Sequence, residues 1–168
     1  MKTLLVMRHA KSVRDDQGRD HDRPLNLRGL EDAPKMGRFL KDNQLAPDYI
    51  LASSAVRALQ TAKGVLDGLV TNDLAIQVDP DLYLCDVSTY FASLSRLPDD
   101  RQRGLVISHN PGTAAFIFAL TGRFIEVTTA NIGIVELDIN HWNELAGKPT
   151  GKLINFFRPK ELPESGLT

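Results

Sequence analysis

Three short stretches carry side chains that could act on an anion. Arg8 and His9 follow the apolar run Leu4 to Met7, Ser53-Ser54 is followed by Arg57, and Ser108-His109-Asn110 follows another apolar run. Each reads as the point where a buried strand surfaces. In open α/β sheets, ligands bind beyond the carboxyl ends of the strands. One His at a strand end is usually a surface or capping residue, but two His and two Arg at one edge make a constellation. Ser53 or Ser54 is a natural N-cap, which places Arg57 in a first helical turn. A cation there opposes the positive end of the helix dipole by about 0.3–1 kcal/mol, and a bound anion would reverse that cost. Asn110 can also cap, Pro111 suits a first helical position, and the helix start beside His109 would offer backbone N–H groups. Together these describe a pocket for a dianionic phosphoryl group. Arg8 would clamp its oxygens, and the neutral imidazole of His9 could attack phosphorus and hold it covalently. Arg8, Arg57 and His109 would neutralise the transition state, so neither metal nor cofactor is expected.

Such a pocket needs elements that deliver its parts to one edge. Strands are expected at TLLVMR, DYILAS, AIQVD and GLVISH, with helices at GLEDAPKMGRFLKDNQ, AVRALQTAKGVLDGL, VSTYFASLSRL and PGTAAFIFALTG. Pro34 is expected near the start of the first helix, where it is tolerated. NIGIVELDI and KLINFFRP read as a late antiparallel pair, with His141 and Trp142 as structural residues between them. Strand-then-helix alternation implies a three-layer α/β/α fold with a mainly parallel central sheet. One domain is expected over residues 1–158, with 159–168 as a loosely held polar tail.

Bulk properties exclude several classes. A chain of 168 residues with 42% hydrophobic and 24% charged composition suits a single globular core. The net charge of −1 gives no global field for nucleic acid. Cys85 is the only cysteine, so no internal disulfide is possible. No apolar run is long enough for a secretory signal or a membrane span, so a cytoplasmic protein is expected, and a monomer by default. Asp20-His21-Asp22 has ligand-type side chains, but adjacent positions rarely converge on one ion. The run RDDQGRDHDR (14–23) is expected to be a solvated loop at the pocket rim. No Gly-rich phosphate loop of the Walker type is present.

At these residues the sequence resembles the histidine phosphatase superfamily, with its phosphoglycerate mutase-like fold. That family's Arg-His-Gly motif stands here as Arg8-His9-Ala10. MRHAKS, DHDRPLNLRG, SSAVRALQTA and SHNP together are similar to its phosphohistidine phosphatase branch, from about Leu4 to Leu120. The resemblance implies that His9 accepts the phosphoryl group and that Arg8, Arg57 and His109 complete the pocket. Asn110 would add its backbone N–H, and Lys11, Ser12 and Arg23 would lie near the substrate. Two departures matter. Larger relatives carry an acid after the third strand that protonates the leaving oxygen. Here Cys85-Asp86 stands in that region, with no clear Glu and with Asp86 as the possible acid. The short connection between third and fourth strands also leaves no room for a cap domain. An open site without a strong acid suits a phosphohistidine on a protein, such as a His-phosphotransfer domain or a phosphocarrier. The alternatives are a phosphatase for small phosphomonoesters and a non-catalytic phosphate-binding adaptor.

Overall fold

The computed structural model describes residues 1–14 and 17–163. Six strands form one sheet: β1 (Lys2–Arg8), β2 (Tyr49–Ser53), β3 (Ile76–Asp79), β4 (Arg103–Ser108), β5 (Ile132–Leu137) and β6 (Gly151–Phe157). Their spatial order is β3-β2-β4-β1-β5-β6. The β2–β3, β2–β4 and β1–β4 pairs are parallel, while β5 is antiparallel to both β1 and β6. The helices are α1 (Leu27–Asp42), α2 (Val56–Leu69), α3 (Val87–Leu94) and α4 (Gly112–Thr121).

The unbroken apolar run of β1 is explained by burial on both faces. Leu4 and Val6 join Phe91 and Phe116, from α3 and α4, in one core. Leu5 and Met7 join Met36, Leu40 and Val65, from α1 and α2, in the other. The sheet is therefore the middle of three layers, as expected. A fully buried Leu or Met contributes about 1.5–3 kcal/mol relative to exposure. Helices α1 and α2 approach closely: a Cβ at Gly37 or Gly68 would run into the opposing helix backbone. That contact seats α2, and with it Arg57, against the sheet. Between β3 and β4 lie only one 3-10 turn (Pro80–Leu82) and α3. Among the described residues, no helix is long and apolar enough to cross a membrane.

Several local expectations need correction. Helix α1 starts at Leu27, where the Asn26 side chain accepts from Gly29 N at 2.9 Å. Pro34 is thus inside the helix, past its first turn, and the packing of α1 on α2 carries the helix through. Neither Ser53 nor Ser54 is the N-cap of α2; Ala55 holds that position without a side-chain bond, because both hydroxyls are engaged elsewhere. The loose tail does not begin at residue 159. Pro159 is buried and its carbonyl accepts from Lys35 Nζ at 2.8 Å, while residues 164–168 lie outside the described residues. Trp142 is fully buried, donating from Nε1 to the Arg101 carbonyl at 2.8 Å, and His141 Nδ1 lies 3.0 Å from Asp99.

Candidate active site

Strand register assembles the centre of the site. Arg8 pairs with Ser108 across β1 and β4, so His9 and His109 leave the sheet side by side. Their ring centroids are 5.1 Å apart. On the other side of β4, the end of β2 supplies Ser53, whose hydroxyl is 2.8 Å from His109 Nε2. From the first turn of α2, Arg57 Nε reaches His9 Nε2 at 3.3 Å.

The protons follow from the partners. His9 Nδ1 lies 2.7 Å from the Ala10 carbonyl, which can only accept. Nδ1 therefore carries the hydrogen, and Nε2 keeps a lone pair. Burial, and then the guanidinium groups of Arg57 and Arg8, push His9 down to about 4, against the opposing Ala10 hydrogen bond. His109 is pushed down to about 3, mainly by burial and then by His9 and Arg57. Both rings are neutral near pH 7. Ser53 Oγ, which also accepts from Ala55 N at 3.4 Å, holds the His109 ring by its Nε2. Among the described residues, His109 Nδ1 is buried with no partner.

Arg57, by contrast, is partnered. The 3-10 turn Asp20–Asp22 brings the Asp20 carboxylate to Arg57 at 3.0 Å, and the Asp20 carbonyl accepts from the same guanidinium at 2.7 Å. Asp20 also accepts from Tyr83 Oη and from Arg23 at 3.0 Å. The Tyr83 hydrogen bond, followed by those from Arg57 and Arg23, holds this carboxyl well below the ordinary carboxylate range. The charged loop therefore does more than sit at the rim: it supplies the anion that Arg57's helix position requires. His21 turns away to Ser54 Oγ at 2.9 Å. Among the described residues, no three His, Cys, Asp or Glu side chains gather as a metal would need.

Other contacts fix the frame. Thr61 accepts from Ala10 N at 2.9 Å and donates to the Arg57 carbonyl at 2.6 Å, tying α2 to the chain beyond β1. The Val127 carbonyl accepts from Arg8 at 3.0 Å and from the Asn110 side chain at 2.8 Å. Asn110 Oδ1 accepts from Ala114 N at 3.3 Å, so it meets the helix later than a cap would. Ser12 Oγ accepts from Arg23 at 2.7 Å. Ala10 carries no positive φ, so Ala in place of the family's Gly is unstrained.

A cavity of about 280 Å³ opens over these groups. Arg8, His9, Lys11, Ser12, Arg23, Arg57, His109 and Asn110 all line it, and so does Asp20. Asp86 does not. It caps α3, accepting from Thr89 N at 3.1 Å and Ser88 Oγ at 2.9 Å, bonds that lower its pKa. An acid fixed as a capping anion is no proton donor for this cavity. Cys85, pushed up to about 11 by burial, is not in the lining either. Tyr83 and Thr61 are missed by the sequence reasoning, which reads Ser53 only as a cap and Asp20 only as part of a solvated loop. The only available signal was the anion that Arg57 seemed to lack.

The two His, the two Arg and the His9 Nε2 lone pair are the apparatus of a phosphatase that passes the phosphoryl group through histidine. A family model for the histidine phosphatase superfamily (branch 1) matches residues 4–90, and the chain belongs to that family. It is a phosphatase of the phosphoric monoester hydrolase type. An uncharacterised protein of Mycobacterium tuberculosis is 37% identical over 114 residues, covering 68% of this chain and 69% of the relative. Phosphohistidine phosphatase SixA of Escherichia coli is 34% identical over 110 residues, 64% of this chain and 67% of SixA. A structure of the protein histidine phosphatase SixA with tungstate superposes with a TM-score of 0.81 at 28% identity, covering 96% of this chain and 99% of that one.

Proposed function

We propose that this phosphatase removes the phosphoryl group from a phosphohistidine side chain of another protein, such as a His-phosphotransfer domain or a phosphocarrier. One observation carries the reading. Among the described residues, the carboxylate lining the cavity is Asp20, and three donors hold it ionised. A sugar or other alkyl phosphate needs a proton on its leaving oxygen. A phosphohistidine whose distal ring nitrogen is protonated releases a neutral imidazole, which needs no proton donor in the pocket. The similarity to SixA, a protein histidine phosphatase whose structure holds tungstate, supports an oxyanion in this pocket.

The chemistry then runs in two displacements. His9 Nε2 attacks phosphorus with its lone pair while the substrate's P–N bond breaks, leaving that electron pair on the departing imidazole. Arg8, Arg57 and His109 stabilise the three equatorial oxygens, with Arg57 exchanging Asp20 for phosphoryl oxygen. Water then displaces His9 from phosphorus, releasing orthophosphate and returning the neutral ring.

A substrate panel tests this. A phosphohistidine protein and an activated aryl phosphate should turn over, with sugar phosphates slower by about 10²–10⁴-fold, the usual worth of general acid catalysis. Asp86→Asn should match the parent on phosphohistidine. His9→Ala should lose turnover and take up no radiolabelled phosphoryl group in a single-turnover mix. A sugar phosphate cleaved as efficiently as phosphohistidine would favour the small-phosphomonoester reading and end this one.

A further inference from the structure

A second cavity, of about 270 Å³, adjoins the first and shares Arg8, Lys11 and Thr129 with it. Beyond the shared wall it is lined by Arg28, Asp32 and Lys160. Four cations face one carboxylate. Arg28 pairs with Asp32 at 3.6 Å along α1. The side-chain ammonium groups of Lys11 and Lys160 have no hydrogen-bond or ion-pair partner among the described residues. The first turn of α1 contains Arg28 and no acid, an unfavourable arrangement at a helix start. Lys160 is held here by the fold. It sits on the 3-10 turn Pro159–Glu161, which Lys35 and the burial of Pro159 dock against α1. Like charges gathered in a concavity repel one another and raise the local concentration of anions.

We infer that this second cavity is the docking groove for an acidic segment of the protein that presents the phosphohistidine. This rests on the proposed function above and adds the partner's character: Asp or Glu side chains within a few residues of the phosphorylated one. The shared wall sets that spacing. Extended chain advances about 3.3 Å per residue, so a carboxylate reaching the adjoining groove belongs to the same segment as the phosphohistidine. The charge complementarity is local, because the chain's net charge is only −1.

The test is binding, which does not require cleavage. Two labelled peptides carry a non-hydrolysable phosphonate analogue of phosphohistidine, one flanked by Asp and Glu and the other by Asn and Gln. Fluorescence anisotropy with the full chain should show the acidic peptide binding about tenfold more tightly at low salt, the sum of several exposed pairs. High salt should shrink that preference. The double variant Arg28→Glu, Lys160→Glu should abolish it while leaving the affinity for the neutral peptide in place. Equal affinities in the wild type overturn the inference, as does a preference that survives in the double variant or the failure of both peptides to bind. Fructose 1,6-bisphosphate is the control for a small ligand with two phosphates. If it displaces the analogue and loses affinity in the same double variant, the groove is a small-ligand subsite and the protein-docking inference falls. Loss of phosphohistidine cleavage alone, with charge-dependent binding intact, counts against the proposed substrate and not against the groove.

Discussion

Acidifying the unliganded protein should destabilise it well above the pH at which carboxylates titrate. His9 is 6% exposed and His109 2%, and burial lowers them to about 4 and about 3 from an ordinary 6.5. The unfolded chain takes up these protons first as pH falls through 6.5. Stability is therefore full above that value and is lost progressively on descent toward the folded-state values. Each pH unit in the window costs about 1.4 kcal/mol per group. The rings are 5.1 Å apart, so they titrate as a coupled pair. For that pair the loss by pH 4.5 is about 3–5 kcal/mol, a large share of the roughly 5–15 kcal/mol typical of a folded domain. Asp20 acts in the same direction, but only below its ordinary 3.8, outside this window. Urea denaturation at constant ionic strength between pH 7 and 4.5 measures the slope, and combining His9→Ala with His109→Gln should flatten it. A wild-type protein equally stable at both pH values, or a double variant with the wild-type slope, would refute the argument.

Arg57→Ala should reduce turnover by about 10²–10³-fold. It should also cost about 0–1 kcal/mol of stability, because the half-exposed Asp20 carboxylate is rehydrated when it loses the guanidinium; wild-type kinetics together with a large loss of stability would show the residue to be structural. Ser53→Ala removes the hydroxyl that faces His109 Nε2 and frees the ring to turn. Turnover should drop by about tenfold or more, with Ser53→Thr restoring it, and unchanged kinetics in Ser53→Ala would show that Ser53 does not position the ring. EDTA should leave activity intact, since the positive charges in the pocket belong to side chains; full loss restored by a divalent ion would overturn the mechanism.

The core of the site is legible in the sequence because it is local to strand ends. An apolar run that stops at Arg8-His9 or Ser108-His109 announces both a strand and what stands at its tip, and the α/β alternation brings those tips to one edge. Contacts that depend on loops folding back are not legible. Asp20 is one acid in a run of mixed charge, and nothing local marks it as the one that turns toward Arg57. Ser53 has a capping residue's chemistry, yet a neighbouring strand supplies His109, a partner some fifty positions on. Asp86 shows the reverse: its position suggests an acid, and its local Thr89 and Ser88 contacts make it a cap. Pro159 looks like the start of a tail until Lys35, from the far end of the chain, closes on it.

The place of β1 in the sheet bears on how the enzyme comes to exist. Its hydrogen-bonding neighbours are β4 and β5, residues 103–108 and 132–137. Leu4 to Met7 thus have no lasting burial until about a hundred further residues have been added. At ribosomal rates of about 5–20 residues per second, that is a wait of roughly 5–20 s with an apolar strand unpaired. Such long-range pairing places the chain among slower folders. It also makes recovery of activity an all-or-none report of refolding, since His9 and His109 meet only when strands from both halves of the chain have joined.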